Sequence, residues 1–237
     1  MAAGAIAAKI LKHLGIEVFA YTRSIGPITI DDTQFDKDAV YSTPTAMPDK
    51  QANEKAMAYL QAAREDCDSV GGCMECVVTG IPAGIGDPVF EKLDANLAKS
   101  VMSIGAVKAI EIGDGIAVSN CKGSVNNDPF RIEDGKITKI TNHAGGILGG
   151  ISDSSPIIIR AYVKPTPSVF KPQQTVDQTC HDIELQIKGR HDPIIVPRAV
   201  VVMECMTAIT ILDAMMLNMS ARMDSLTNFY CSNKTIH

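Results

Sequence analysis

Residues 199–219 are nearly all apolar, and a run of that length leaves two choices: a membrane span or a helix buried in a protein core. Glu204 and Asp213 lie inside the run and Pro197 stands where a helix would start. Charged groups are costly in lipid, so the pattern favours a core helix. A chain of 237 residues, 46% hydrophobic and 21% charged, is long enough to bury such a helix in a single domain. We therefore expect one domain over 1–237, with a flexible tail over 220–237.

Upstream, residues 2–14 (AAGAIAAKILKHL) read as a helix stopped by Gly15, because Ala and Leu favour helix and Gly commonly follows its end. Residues 16–30 read as a strand broken at Gly26-Pro27, 31–49 as a loop, 50–65 as a second helix and 72–79 as a strand. Asp87-Pro88 has the form of a helix start, followed by Phe90, Leu93, Leu97 and Val101 on one apolar face. A strand is expected at 106–112, and a Glu-Asp-Gly-Lys turn at 133–136 between Ile132 and Ile137. Ile157, Ile159, Ala161 and Val163 alternate, as do Ile183, Leu185 and Ile187, which is the period of half-buried strands. Early helix–strand alternation and strand-rich sequence later give an α+β or layered α/β fold.

A formal net charge of -5 argues against a nucleic-acid partner, yet a local cluster of Lys and Arg can still hold an anionic small molecule. Seven cysteines in no framework spacing suit a reducing compartment. Cys73-Met-Glu-Cys76 resembles half a zinc or redox site, but without a partner pair it reads as ordinary strand cysteines, and no metal is expected.

Four segments carry more glycine and convergent polar groups than a core needs. Thr79–Asp87 is a glycine-rich turn before a helix start, a candidate phosphate cradle without P-loop spacing. Asn142–Ser152 carries paired glycines and His143, and is open between a binding loop and a structural one. Lys164-Pro-Thr-Pro-Ser168 is stiffened by two prolines and offers a cation and two hydroxyls to one anion; otherwise it is a strand-ending turn. Gly189-Arg-His-Asp-Pro193 sets Arg190, His191 and Asp192 together after a strand, where they must be solvated, paired or functional.

In order and spacing, these segments together resemble the chorismate synthase family. The blocks that carry the likeness are Gly80–Ala95, Met102-Ser-Ile-Gly-Ala-Val-Lys108, Glu111-Ile-Gly-Asp-Gly115, Asn142–Ser152, Lys164–Ser168 and Gly189–Pro193. The resemblance implies a β–α–β sandwich, with helices layered between antiparallel sheets, in a cytoplasmic homotetramer of the shikimate pathway. It implies a lyase that converts 5-enolpyruvylshikimate 3-phosphate to chorismate by anti 1,4-elimination of phosphate. The family requires reduced FMN, is associated with NADP, and shows no net redox change. By position, Gly105, Ala106 and Gly149 match residues lining the FMN site. Lys164, Pro165, Thr166, Pro167 and Ser168 match the stretch that holds the flavin, and Arg190 a flavin-site arginine. Asp192 matches an acid that handles protons at the flavin.

The family also carries a Gly-Glu-Ser-His-Gly block, a second histidine, substrate arginines and an Arg-Ser-Ser-Ala-Arg block, none of which occurs in this chain. Its two histidines are general acids, so the resemblance implies an N-terminally truncated piece that makes no chorismate alone. The alternative is a non-catalytic remnant that binds flavin or another phosphate ligand. No membrane or nucleic-acid partner is expected.

Overall fold

The computed structural model describes residues 1–189 and 192–232. Its first half holds α1 (Ala2–His13), β1 (Glu17–Ile25), β2 (Ile28–Thr29), α2 (Ala39–Ser42), α3 (Lys50–Glu65), β3 (Gly72–Thr79), α4 (Leu93–Met102) and β4 (Val107–Ile112). The second half holds α5 (Gly123–Asn126), β5 (Phe130–Glu133), β6 (Lys136–Lys139), β7 (Ile147–Leu148), β8 (Ile151–Ser152), β9 (Ile157–Val163), β10 (Gln173–Val176), β11 (Asp182–Leu185), α6 (Val196–Asn218) and α7 (Met223–Ser232). One antiparallel sheet in the order β2-β1-β3-β9-β4 carries the molecule, and β5–β6, β7–β8 and β10–β11 form separate two-stranded ribbons. The expected α+β class, helices layered on antiparallel sheet, is what the structure has.

Alternation along the strands decides which helix covers which face. Ala20, Met74, Cys76, Val78, Ile157, Ile159, Ala161 and Val163 point to one side, where α1 brings Leu11, α4 brings Leu93, Leu97 and Val101, and α6 brings Val200, Met203 and Ile211. Phe19, Tyr21 and Ile25 point to the other side, under Ala52, Ala56 and Leu60 of α3. Helices α1 and α6 cross where a Cβ on Gly4 would come within 2.3 Å of the Cys205 Cβ, so glycine sets their approach despite its poor helix propensity.

Several expectations are refined, among them the loop expected over 31–49, which contains α2. Helix α4 starts at Leu93, not at Asp87-Pro88: Val89 adopts φ +70°, outside the helical region, and the Leu93 N–H donates to the Gly150 carbonyl (2.8 Å). Phe90 therefore leaves the apolar stripe and is 89% exposed. The β11 strand forms, but Ile183 and Leu185 are exposed, since its ribbon lies outside the main sheet. Helix α6 is long and apolar enough to cross a membrane by length and composition, and it packs on the sheet and on α1 and α4; its last residues, Met216 and Leu217, are exposed. The expected tail 220–237 contains α7, and residues 233–237 lie outside the described residues.

Candidate functional site

Several of the singled-out residues converge at the end of the sheet where β9 finishes. The Lys164 N–H donates to the Ala106 carbonyl (2.9 Å), which joins the Gly105-Ala106 turn to the start of the Lys164–Ser168 stretch. Ala106 holds φ +69°, a left-handed conformation that lets the chain turn directly into β4. Gly71 lies beneath: a Cβ there would meet the Val163 carbonyl at 2.5 Å and the Pro165 Cδ at 3.1 Å. The Ser69 hydroxyl donates to the Thr166 carbonyl (2.6 Å), and the Phe170 N–H to the Cys67 carbonyl (3.2 Å). Lys171 grips Asp66 (2.6 Å) and Asp68 (2.8 Å), and its hydrogen bonds to the two carboxylates hold its ammonium above the ordinary lysine range. The proline-stiffened stretch is thus tied down on its backbone side, while Lys164, Pro165 and Pro167 stay exposed.

Asp192 reaches the same end. The Val70 N–H donates to the Pro193 carbonyl (2.8 Å), and the Asp192 carboxylate accepts from Arg198 Nη1 (2.6 Å). Ser168, Cys67, Ser69, Arg64 and Asp192 line a cleft of about 30 Å³, and Asp192 also borders a neighbouring one of about 250 Å³ with Arg64 and Arg198. Arg190 and His191 lie outside the described residues. Gly149 is not brought to this cluster. It forms the β7–β8 turn beyond the Ile157 end of β9, and seven strand residues span roughly 20 Å.

The residues fit an anionic, flat ligand on two observations. Thr166 Oγ1 is buried with no hydrogen-bond partner among the described residues, an arrangement that costs free energy unless something outside completes it. Lys164 is exposed and forms no salt bridge among the described residues, and a Cβ on Gly105 would meet nothing within 4 Å. A cation, an unpaired hydroxyl and open backbone lie along one edge, as a phosphorylated aromatic cofactor such as FMN requires.

Other candidates resolve as scaffold. Burial pushes the thiols of Cys73 and Cys76 up to about 12, so both stay protonated in β3, and no group of metal-ligating side chains occurs among the described residues. The Thr79–Asp87 turn spends its amides internally: the Gly84 N–H donates to the Ser152 carbonyl and the Ile85 N–H to the Ser152 hydroxyl (both 2.9 Å). His143 is fixed by Asp114 (2.5 Å from Nδ1). A groove of about 750 Å³ lies between α4 and the end of α6; Gly86 and Asp87 of the glycine-rich turn line it, and none of the residues matched to the flavin site does.

Sequence reasoning missed two features. Arg198, in the first turn of α6, holds Asp192, and its only signal is the place six residues after Asp192 in a helix start. The second is a polar network on the sheet: buried Glu75 accepts from the Tyr21 hydroxyl and from Arg160 Nε, with Arg23 at 3.5 Å and itself paired with Asp32. Burial, then the charge of Glu75, pushes the Tyr21 phenol far above its ordinary value.

Comparison with known proteins converges on one family. The family model for chorismate synthase matches residues 1–216. The chorismate synthase of Agathobacter rectalis is 57% identical over 230 residues, 97% of this chain and 63% of its own length. That of Methanocella arvoryzae is 50% identical over 221 residues, 91% of this chain and 59% of its own length. A solved structure described as the crystal structure of chorismate synthase superposes with a TM-score of 0.77 at 25% identity, over 98% of this chain and 66% of that one. This chain thus spans about 63% of the length of the first of these relatives.

Proposed function

The chain belongs to the chorismate synthase family, and from that premise we propose that it serves the anti 1,4-elimination of phosphate from 5-enolpyruvylshikimate 3-phosphate to give chorismate. The proposal includes reduced FMN as cofactor and a homotetrameric, cytoplasmic enzyme of aromatic amino acid biosynthesis. The observation that carries it is the pairing of unengaged Lys164 with the orphaned Thr166 hydroxyl on a backbone tied down from behind.

The reaction as a whole breaks one C–O bond, releasing phosphate, and one C–H bond. Reduced FMN, when bound, supplies the electron density that assists loss of phosphate and leaves the net redox state unchanged. Lys164 would offset the negative charge of the cofactor, and Thr166 and Ser168 would orient it through their hydroxyls. Gly105 and Ala106 would let the ring approach the backbone, with Gly149 and Arg190 assigned to the same ligand by family position. Asp192 would take or give a proton at the flavin, its carboxylate aimed by Arg198.

A flavin titration tests the assignment. Lys164→Ala and Thr166→Val should each weaken binding of reduced FMN, the former by about 1.5–3 kcal/mol as one charge-assisted contact is lost. Unchanged affinity in both would refute the placement. The second reading is flavin or phosphate-ligand binding without turnover. Tight binding with no chorismate formed by the family-length protein would favour it.

A further inference from the structure

The β5–β6 ribbon pairs with no other strand among the described residues. Lys139 of β6 anchors it to the body through Asp128 and Asp153, while Phe130, Ile132, Ile137 and Ile140 are all exposed. Isolated two-stranded ribbons are at best marginal in water, and an open edge with apolar side chains is a template for another strand. Its edge is built to meet itself.

The turn Asp134-Gly135 has positive φ at both residues (51° and 74°), a tight two-residue hairpin in which Glu133 and Lys136 face each other as the first bonded pair. Bonded and non-bonded pairs alternate, so Arg131 and Thr138 also bond within the ribbon. The backbone N–H and C=O of Ile132 and Phe130 therefore point outward along the free edge of β5. An antiparallel pairing of β5 with a second β5, centred on Ile132, uses those outward groups.

That register sets Ile132 opposite Ile132 of the second copy, and Arg131 opposite Glu133, twice by symmetry. On one face Ile137 and Ile132 of each copy form a continuous apolar row; on the other, each arginine, 3.2 Å from Glu133 of its own strand, meets a second carboxylate across the seam. Self-pairing through β6 gains no such ion pair: centred on Ile137 it has no opposite charges to match, and centred on Lys139 it meets an ammonium already buried against Asp128 and Asp153. We infer that the free edge of β5 is a two-fold docking surface for a second copy of this chain, joining two ribbons into a four-stranded sheet. This names one surface of the proposed assembly and does not depend on the flavin chemistry.

The test uses charge reversal on the full chain, read as mass in solution by sedimentation, with circular dichroism confirming that each variant folds. Arg131→Glu alone or Glu133→Arg alone should halve the mass of the assembly, or weaken its association at least tenfold; the double exchange should restore it. Ile132→Cys should oxidise to a disulfide mapped by mass spectrometry to position 132 of both copies, because bonded antiparallel pairs have Cα atoms about 5.5 Å apart, within disulfide reach. Identical masses for wild type, single and double variants would overturn the surface. So would cross-linking of the introduced thiol only to the native cysteines.

Discussion

Asp128 is the residue whose loss most directly tests how the glycine loop is held. Its carboxylate is almost fully buried and accepts from Thr141 Oγ1 (2.7 Å), the His143 N–H (2.7 Å) and the Ala144 N–H (3.0 Å), with Lys139 Nζ at 3.4 Å. Burial alone would raise its pKa; the donors outweigh burial and hold it down, from 3.8 to about 2. The gap between those values corresponds to about 2.4 kcal/mol of folding free energy. Because the folded-state value is the lower, that stability is fully present above about pH 4 and is lost as pH falls toward 2, with about 1 kcal/mol gone by pH 3. Asp128→Asn keeps the shape, removes the charge facing buried Lys139, and should lower stability by about 2–3 kcal/mol at pH 7. Urea unfolding of both proteins at several pH values between 7 and 3 measures it. The difference should shrink by about 1 kcal/mol across that range. A difference that stays flat with pH, or one below about 0.5 kcal/mol at pH 7, would refute the reasoning.

Asp192→Asn in a family-length protein should cut turnover roughly a hundredfold or more while flavin affinity holds, followed anaerobically by chorismate absorbance. Near-normal turnover would remove Asp192 from proton transfer. Leu97→Ala, at a fully buried position of α4, should cost about 2–5 kcal/mol in urea unfolding. A loss under 1 kcal/mol would mean that the α4 contact with the sheet is loosely packed.

What the sequence disclosed follows from how local each signal is. Helix α1, the β1–β2 break at Gly26-Pro27, α3, β3 and β9 were legible because periodicity and breakers act within a few residues. The start of α4 was not, since it depends on a bond from Leu93 to Gly150, 57 positions away. Alternation at Ile183 and Leu185 announced a strand correctly, but burial depends on whether a strand joins the main sheet, and β11 pairs only with β10. The Tyr21–Glu75–Arg160 network needs β9 inserted between β3 and β4, which no local pattern specifies.

The two glycine-rich segments show best how a motif changes meaning once folded. Read separately, 79–87 suggested a phosphate cradle and 142–152 a binding loop, because both offer backbone amides at close approach. In the structure they are each other's partners. A Cβ on Gly86 would lie 2.5 Å from the Gly150 carbonyl, and Ser152 engages Gly84, Ile85 and the Pro82 carbonyl. Gly145 and Gly146 are spent in the same way, against Gly113 and the Pro156 carbonyl. Most of the glycine in these blocks therefore serves backbone-to-backbone packing, and its positive φ values are required by that packing. Gly84 and Gly149 differ: each has positive φ, yet a Cβ there would meet nothing within 4 Å. Turn conformation rather than packing calls for glycine at these two positions, so Gly149 rests in the flavin assignment on its family position alone, at a distance from Lys164.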